Sequence, residues 1–233
     1  MDVLLRGNQV PEPEWRSGND IYKMLEYVRG KVSDRKLRLF AVACCHRPYY
    51  CIEDERHQRA VELAERMADE DVSEVEWQHI NQAAYELWQS TWAASITAQR
   101  KAPRGTHEVK KLMDADMATA AGWAVLDDAW EAAYQVTGVE WDEMYADEPD
   151  YQLAFLHDIF GKPFNRVITS WFTPTIFTLA QAIYADRAFA NLPILADALE
   201  EAGCDDIDIL AHCRSGGEHV RGCWVIDLIL GKV

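Results

Sequence analysis

The closing part of the chain brings four potential metal ligands close together in sequence. Residues 212–224 read HCRSGGEHVRGCW, with two histidines and two cysteines. Imidazole nitrogen and thiolate sulfur are donors that Zn²⁺ takes in tetrahedral protein sites. The Ser-Gly-Gly run at 215–217 can fold back, because glycine adopts positive φ at low cost. The stretch therefore offers a zinc site, although its Cys-x5-His-x3-Cys spacing is not that of a common zinc finger. The candidate ligands are His212, Cys213, His219 and Cys223.

The same stretch also fits a packed corner between two helices. Cys213 follows Leu210 by three positions, and Cys223 precedes an isoleucine by the same number. Each cysteine therefore shares a helix face with an apolar residue. Unpaired cysteine is among the most frequently buried residue types and behaves as a small hydrophobic side chain. The sequence favours this interpretation, in which no cofactor is bound. Zinc ligation, in a structural site or a metal-assisted hydrolase, is the alternative.

Two further groups of residues have types that could do chemistry. Cys44 and Cys45 precede His46, but this segment ends a predicted helix, where the helix dipole disfavours a thiolate. The dipeptide His157-Asp158 is of the kind found in metal-dependent phosphohydrolases, but the sequence offers only nominal additional ligands. It contains no phosphate-binding glycine loop, nucleophile elbow or dinucleotide fingerprint. Whether the chain is an enzyme is therefore left open.

The charge of the chain is strongly negative and unevenly distributed. The net charge is −16, and residues 112–161 contain twelve acidic residues without any lysine or arginine. A negative field of this kind repels nucleic acid and attracts basic proteins or cations. We therefore expect no nucleic-acid partner and predict a basic protein partner; the alternative is a solvated face that keeps the protein soluble. The predicted contact residues are Asp142, Glu143, Asp147, Glu148 and Asp150.

Apolar residues recur with the helical period along almost the whole chain. Ser73 and Glu76, for example, form a capping box before a long segment with this period. Strand-like alternation is limited to FNRVITSWF, residues 164–172. These patterns predict an all-α fold, a compact bundle of about eight to ten helices. Residues 1–233 are predicted to form one domain, with a weak internal joint near residues 139–150.

The sequence carries no targeting signal that we recognise. No apolar run is long enough to span a membrane, and the first residues lack the pattern of a signal peptide. We therefore expect no membrane partner, a cytoplasmic location and cysteines that are mostly reduced thiols.

Several stretches resemble a family of uncharacterised bacterial proteins. They are GKVSDRKLRLFAVACC near the start, and FGKPF, LPILADALEEAGCDDIDILAHC and HVRGCWVIDLILGK near the end. The resemblance covers most of the chain and is densest at residues 30–70 and 155–232. His46 and His157 stand where arginine is common in the family, so the resemblance implies no shared chemical role for either histidine. It also implies no activity.

Together these observations predict a cytosolic helical interaction module that binds a basic protein through its acidic surface. The alternative is a zinc-binding protein, or a metal-assisted hydrolase, that uses the cysteine and histidine residues of the closing segment.

Overall fold

The computed structural model describes residues 18–46, 54–99, 119–137, 148–161 and 171–232. These residues form ten α-helices, a further helical stretch at 119–124 and one short 3-10 helix, Phe189–Asn191, and they contain no strand, which confirms the all-α prediction. Nearly all of the strand candidate, and most of the predicted joint, lie outside the described residues. The α-helices are α1 (Ile21–Val28), α2 (Asp34–Cys45), α3 (Glu55–Asp69), α4 (Glu74–Gln99), α5 (Ala129–Thr137), α6 (Glu148–Phe160), α7 (Pro174–Asp186), α8 (Leu192–Glu201), α9 (Ile207–Cys213) and α10 (Trp224–Leu230).

Helix α2 lies at the centre of the first of two apolar clusters. Every residue from Leu37 to Cys45 is buried. A helix that is buried on all sides must be surrounded by other elements, and α2 packs against α3, α5 and α6. Helices α1 and α4 pack at the edge of the same cluster. We call this cluster, formed by α1 to α6, the N-terminal core.

The second apolar cluster, the C-terminal core, is formed by α7 to α10. Its centre contains fully buried aliphatic side chains, among them Leu195, Ile209 and Ile226. Helix α10 packs against α7 and α9 and also contacts α6 of the N-terminal core. This contact brings the closing segment of the chain against α6. Within the described residues, none of the helices combines the length and the apolar character needed to cross a membrane.

A part-buried polar network joins the two cores around Arg35. Ser33 caps α2 and so fixes the start of the helix on which Arg35 lies. The Arg35 guanidinium donates to Asp69 at 2.8 Å and to Asp227 at 2.7 and 3.1 Å. It also donates to the Tyr184 hydroxyl at 2.9 Å. One arginine of α2 therefore binds side chains on α3, α7 and α10.

Lys36, the next residue of α2, completes the junction. Its ammonium group donates to the carbonyl oxygens of Ile159 and Gly222, both at 2.8 Å. It also lies 2.7 Å from Asp227 Oδ2. This one side chain therefore binds α6, α10 and the segment that precedes α10. Lys36 thus fixes the position of the closing segment against α6.

The pKa of Asp69 predicts how this network responds to acid. Burial alone would raise the pKa, but hydrogen bonds from Tyr184, Arg35 and Lys232 outweigh burial and lower it to about 2. A carboxylate with a depressed folded-state pKa contributes stability above its unfolded-state pKa, and that stability is lost as the pH falls towards the folded-state value. The contribution is therefore present at neutral pH and is lost between about pH 4 and about pH 2.

We therefore expect Asp69→Asn to be less stable than the wild type at neutral pH, with a difference that shrinks below about pH 4. Urea unfolding of both proteins at several pH values measures this difference. Substitution of the exposed Asp150 by asparagine is the control and should leave the pH dependence of stability unchanged. A difference between Asp69→Asn and wild type that stays constant down to about pH 2 would contradict the assignment.

Gly161 ends α6 at a point where no other residue fits. Its φ is +58°, and a Cβ built on it would lie 2.5 Å from Cγ of Trp224, the first residue of α10. We expect Gly161→Ala to cost roughly 2–5 kcal/mol, because left-handed strain and overlap with the indole add. Gly231→Ala is the matched control: it has a similar φ of +67° and open space around the position. Chemical denaturation measures both, and equal costs would show that the indole contact is unimportant.

Candidate functional site

Four side chains with metal-ligand atoms converge where α6 meets the closing segment. They are Asp158, His212, His219 and Cys223, and one ligand atom from each lies within 4.8 Å of all the others. We call this group the Cys/His/Asp centre. Asp158 lies on α6 and His212 in the last turn of α9. Cys223 is the residue before α10, and His219 lies in the segment between α9 and α10.

Short contacts join the four side chains to one another. Asp158 Oδ1 lies 2.6 Å from Nδ1 of His219 and 3.2 Å from Nε2 of His212. The same Nε2 atom of His212 lies 3.2 Å from Sγ of Cys223. The two imidazole rings meet edge to face, with their centroids 4.8 Å apart. The donor atoms therefore face a common point and do not form two separate pairs.

The surroundings of His219 assign the hydrogens on its ring. The Ser215 hydroxyl donates to the His212 carbonyl oxygen at 2.8 Å, and its oxygen lies 3.1 Å from Nε2 of His219. A hydroxyl has one hydrogen and a carbonyl oxygen only accepts, so Ser215 Oγ accepts a hydrogen bond from Nε2–H. The Nδ1 atom of the neutral ring then directs its lone pair at Asp158 Oδ1, which is another acceptor. The 2.6 Å contact is therefore a hydrogen bond that needs a hydrogen on Nδ1, and a metal ion bound by both side chains would replace that hydrogen.

This assignment also defines the role of Ser215. Asp158, His219 and Ser215 stand in the order of a nucleophilic triad, in which the histidine removes the hydroxyl hydrogen. Here the hydroxyl hydrogen points to a carbonyl oxygen and not to His219. Ser215 is therefore placed to orient the imidazole. A hydrogen bond to the second ring nitrogen is the usual support of a metal-binding histidine.

A backbone hydrogen bond orients Asp158 in the same way. The N–H of Val220 donates to Oδ2 of Asp158 at 2.9 Å. Oδ1 is the carboxylate oxygen that contacts both histidines. Each oxygen of the carboxylate thus has a separate function: one is held by the backbone and the other faces the centre.

Local sequence explains how the closing segment reaches α6. Asp206 caps α9 by accepting hydrogen bonds from the backbone N–H groups of Asp208 and Ile209. The chain turns back after this short helix and passes through Gly222, whose φ is +93°. A Cβ at Gly222 would lie 3.1 Å from a Leu39 methyl group. Glycine therefore lets the backbone approach α2 closely and places Cys223 in the interior.

Burial decides the charge states at the centre. Asp158 is 4 % exposed and Cys223 is fully buried. Burial alone would raise the pKa of Asp158, but its contacts with His212 and His219 outweigh burial and lower the pKa below the usual value. Burial raises the pKa of the Cys223 thiol well above its usual value, and the Asp158 charge raises it further. A charged carboxylate at this depth needs hydrogen bonds or a cation beside it, and the two histidines and the Val220 N–H supply the hydrogen bonds.

The sequence-predicted ligands fall into two groups in the structure. His212, His219 and Cys223 belong to the Cys/His/Asp centre, whereas Cys213 does not. Cys213 is packed in the C-terminal core, and burial raises the pKa of its thiol to about 12. The reason is helical geometry, because consecutive residues of α9 point about 100° apart and His212 already faces the centre.

Asp158 is the member of the centre that sequence reasoning missed. The sequence drew attention to it only as the neighbour of His157, with no link to the closing segment. His157 is a half-buried residue of α6 and is absent from the centre. Spacing in sequence gave no signal for Asp158, since 54 positions separate it from His212. Asp158 is buried because α6 packs against α10, and this packing between distant helices cannot be read from local sequence.

The other candidate residues lie away from the centre. Cys44 and Cys45 are buried in α2. Of the predicted partner-binding residues, Asp142, Glu143 and Asp147 lie outside the described residues, as does the side chain of Glu148. Asp150 is exposed on α6.

Comparison with known proteins gives no relative from which a function follows. No protein-family model, no curated protein and no solved structure matches the chain. The resemblance to uncharacterised bacterial proteins therefore rests on the sequence stretches alone, and function has to be argued from the centre itself.

Proposed function

We propose that the protein binds one zinc ion at the Cys/His/Asp centre and that this ion has a structural role. The observation that carries the proposal is the convergence of four donor atoms from three separate parts of the chain. His219 Nδ1 and Asp158 Oδ1, which lie 2.6 Å apart, would both bind the ion in place of the hydrogen that they share.

The donor set favours zinc over other common ions. It consists of one sulfur, two imidazole nitrogens and one carboxylate oxygen. Calcium and magnesium take oxygen ligands almost exclusively, whereas zinc accepts all three donor types in tetrahedral sites. The charges also balance, because one Zn²⁺ neutralises a thiolate and a carboxylate. A neutral group of this kind is much less costly to bury than an isolated charge.

A structural role fits better than a catalytic one. Four protein ligands complete a tetrahedral shell, whereas catalytic zinc sites keep one position for water or substrate. The two anionic ligands, Asp158 and Cys223, are both buried. The ion would connect α6 with α9 and with the start of α10, and so link the two cores. These points argue against the metal-assisted hydrolase that the sequence left as a possibility.

Substitution of zinc by cobalt tests the proposal at the level of the ligands. Co²⁺ bound by a thiolate in a tetrahedral site has charge-transfer and intense ligand-field absorption. We expect both for the wild type and for Cys213→Ala, and neither for Cys223→Ala. The two variants are matched, since both cysteines are fully buried and lose the same atoms. Thiolate-to-cobalt absorption that survives in Cys223→Ala would exclude this centre.

A second proposal concerns the acidic middle of the chain, which we infer binds a basic partner. It rests on the charge of residues 112–161 and on the exposure of Asp150 at the start of α6. Neutralising Asp142, Glu143, Asp147 and Glu148 together should abolish binding of a basic partner at low salt. Binding that is unchanged by these substitutions would remove the electrostatic explanation.

A further inference from the structure

The guanidinium group of Arg221 has one buried donor without an acceptor in the part of the chain that the structure describes. Its Nε atom is buried, and no acceptor for it exists among the residues that the structure describes. The carboxylate oxygen paired with it, Oε1 of Glu65, lies 3.6 Å from Nε, too far for a hydrogen bond. Buried donors in folded proteins almost always have a partner, so the ion pair with Glu65 leaves part of the hydrogen-bonding capacity of Arg221 unused.

The single negative charge of Glu65 cannot neutralise both of the guanidinium groups beside it. The same carboxylate also forms an ion pair with Arg187, through its other oxygen. The Glu65 side chain is 6 % exposed, whereas those of Arg187 and Arg221 are 48 % and 25 % exposed. One buried carboxylate therefore lies beneath two guanidinium groups that reach solvent.

The excess of positive charge extends to the neighbouring ion pairs. The guanidinium carbon of Arg221 lies 5.1 Å from the centroid of the Tyr184 ring, and the Lys232 ammonium lies 4.7 Å from the same centroid. Asp69 and Asp227, the two other carboxylates, are already bound by Arg35 and by lysines. These ion pairs join five cations to three carboxylates: Arg35, Lys36, Arg187, Arg221 and Lys232 against Glu65, Asp69 and Asp227. A fourth carboxylate, Glu62, lies near Arg187 and Arg221, since the charges of all three act on His46.

The backbone at Arg187 is a further sign that its side chain is needed. Arg187 ends α7 with a φ of +53°, and it is the only non-glycine residue with positive φ among the described residues. Glycine adopts this conformation at lower cost. Strained positions occupied by a functional side chain cluster at binding sites.

We propose that Arg221 and Arg187 bind an oxyanion, the phosphate group of a small ligand. A guanidinium group presents its N–H donors in a planar fork, which matches two oxygens of a phosphate. The bound anion would accept hydrogen bonds from Nη–H groups of the two arginines, since Nε of Arg221 is buried against Glu65, and it would offset the local positive charge. This site is separate from the Cys/His/Asp centre, although Arg221 lies between His219 and Cys223 in sequence.

Calorimetric titration of the full chain with inorganic phosphate, at low ionic strength, tests the site. We expect saturable binding to the wild type and at least tenfold weaker binding to Arg221→Gln and Arg187→Gln. Arg221→Lys should bind with intermediate affinity, because it keeps the charge and loses the paired donors. Arg214→Gln is the matched control: Arg214 belongs to the same segment, and its acidic partners are the exposed Asp197 and Glu200. It should bind phosphate as the wild type does.

Two results of the phosphate titration would overturn the proposal. One is the absence of saturable binding to the wild type, and the other is equal binding by wild type and by both glutamine variants. Arg187→Gln is informative even if Arg221→Gln folds poorly, because Arg187 is half exposed. Acetate serves as a second probe, and binding of acetate as tight as that of phosphate would exclude phosphate as the ligand class.

A parallel titration separates this proposal from the zinc proposal. Phosphate binding is measured with zinc-loaded and zinc-free protein, with the metal content determined independently. Binding that requires zinc and is unaffected by the arginine substitutions would place phosphate on the metal and contradict the arginine site. Binding that depends on Arg221 in either metal state supports the arginine site, whatever the outcome for zinc.

Discussion

Replacing Asp227 by alanine is expected to lower the free energy of unfolding by about 3–5 kcal/mol, as breaking a buried ion pair does. Asp227 is 1 % exposed. It accepts two hydrogen bonds from Arg35 and lies 2.7 Å from the Lys36 ammonium. Truncation to alanine would leave Arg35 and Lys36 part-buried without this carboxylate. The attraction to Asp227 would then no longer compensate the free-energy cost of removing the two cations from water.

The effect should extend beyond α10, because Arg35 and Lys36 also bind α3, α6 and α7. Chemical denaturation measures the loss, and Asp197→Ala is the control. Asp197 also pairs with an arginine, but its side chain is 70 % exposed. Exposed pairs contribute at most about 1 kcal/mol. Equal losses for the two variants would show that the network around Arg35 does not hold the two cores together.

Removal of zinc is expected to lower the melting temperature of the wild type by about 10 °C or more. Free zinc at a thousand times its dissociation constant stabilises a protein by about 4 kcal/mol. For a chain of this length, each kcal/mol corresponds to roughly 2–4 °C in melting temperature. The physical reason is that the ion would bind the folded arrangement of α6, α9 and α10, whereas the unfolded chain keeps its ligands apart.

Scanning calorimetry with a chelator, and then with added zinc, measures this shift and its reversal. His212→Ala should have the low melting temperature in both conditions, because it lacks one ligand. Ser215→Ala should keep a smaller zinc-dependent shift, since Ser215 orients His219 without contacting the ion. A wild type with the same melting temperature in chelator and in zinc would contradict a structural role for the metal.

Most of the helical architecture could be predicted from the sequence because its signals are local. The Glu76 N–H donates to the Ser73 hydroxyl oxygen at 3.3 Å, as the capping box predicts, and the buried residues of α1 include Met24, Leu25 and Val28 at helical spacing. Three of the four residues of the Cys/His/Asp centre lie within thirteen positions and were visible for the same reason.

The remaining parts depend on contacts between residues far apart in sequence. Asp158 joins the centre only because α6 packs beside α10. Arg35 binds Asp227 across 192 positions, and neither residue type nor spacing indicates this pair. Cys213 and His212 are adjacent in sequence and equally plausible as ligands there. The direction in which α9 faces distinguishes them, and this direction depends on how the helix packs in the C-terminal core.

The zinc content of the purified protein tests the central claim most directly. Protein from zinc-supplemented culture, prepared without chelator, is analysed by elemental mass spectrometry alongside Asp158→Ala, His212→Ala and Cys213→Ala. The account predicts about one zinc per chain for the wild type and for Cys213→Ala, and less than about a tenth for the other two. A wild type with less than about a tenth of a zinc per chain, or an Asp158→Ala variant with a full complement, would contradict it.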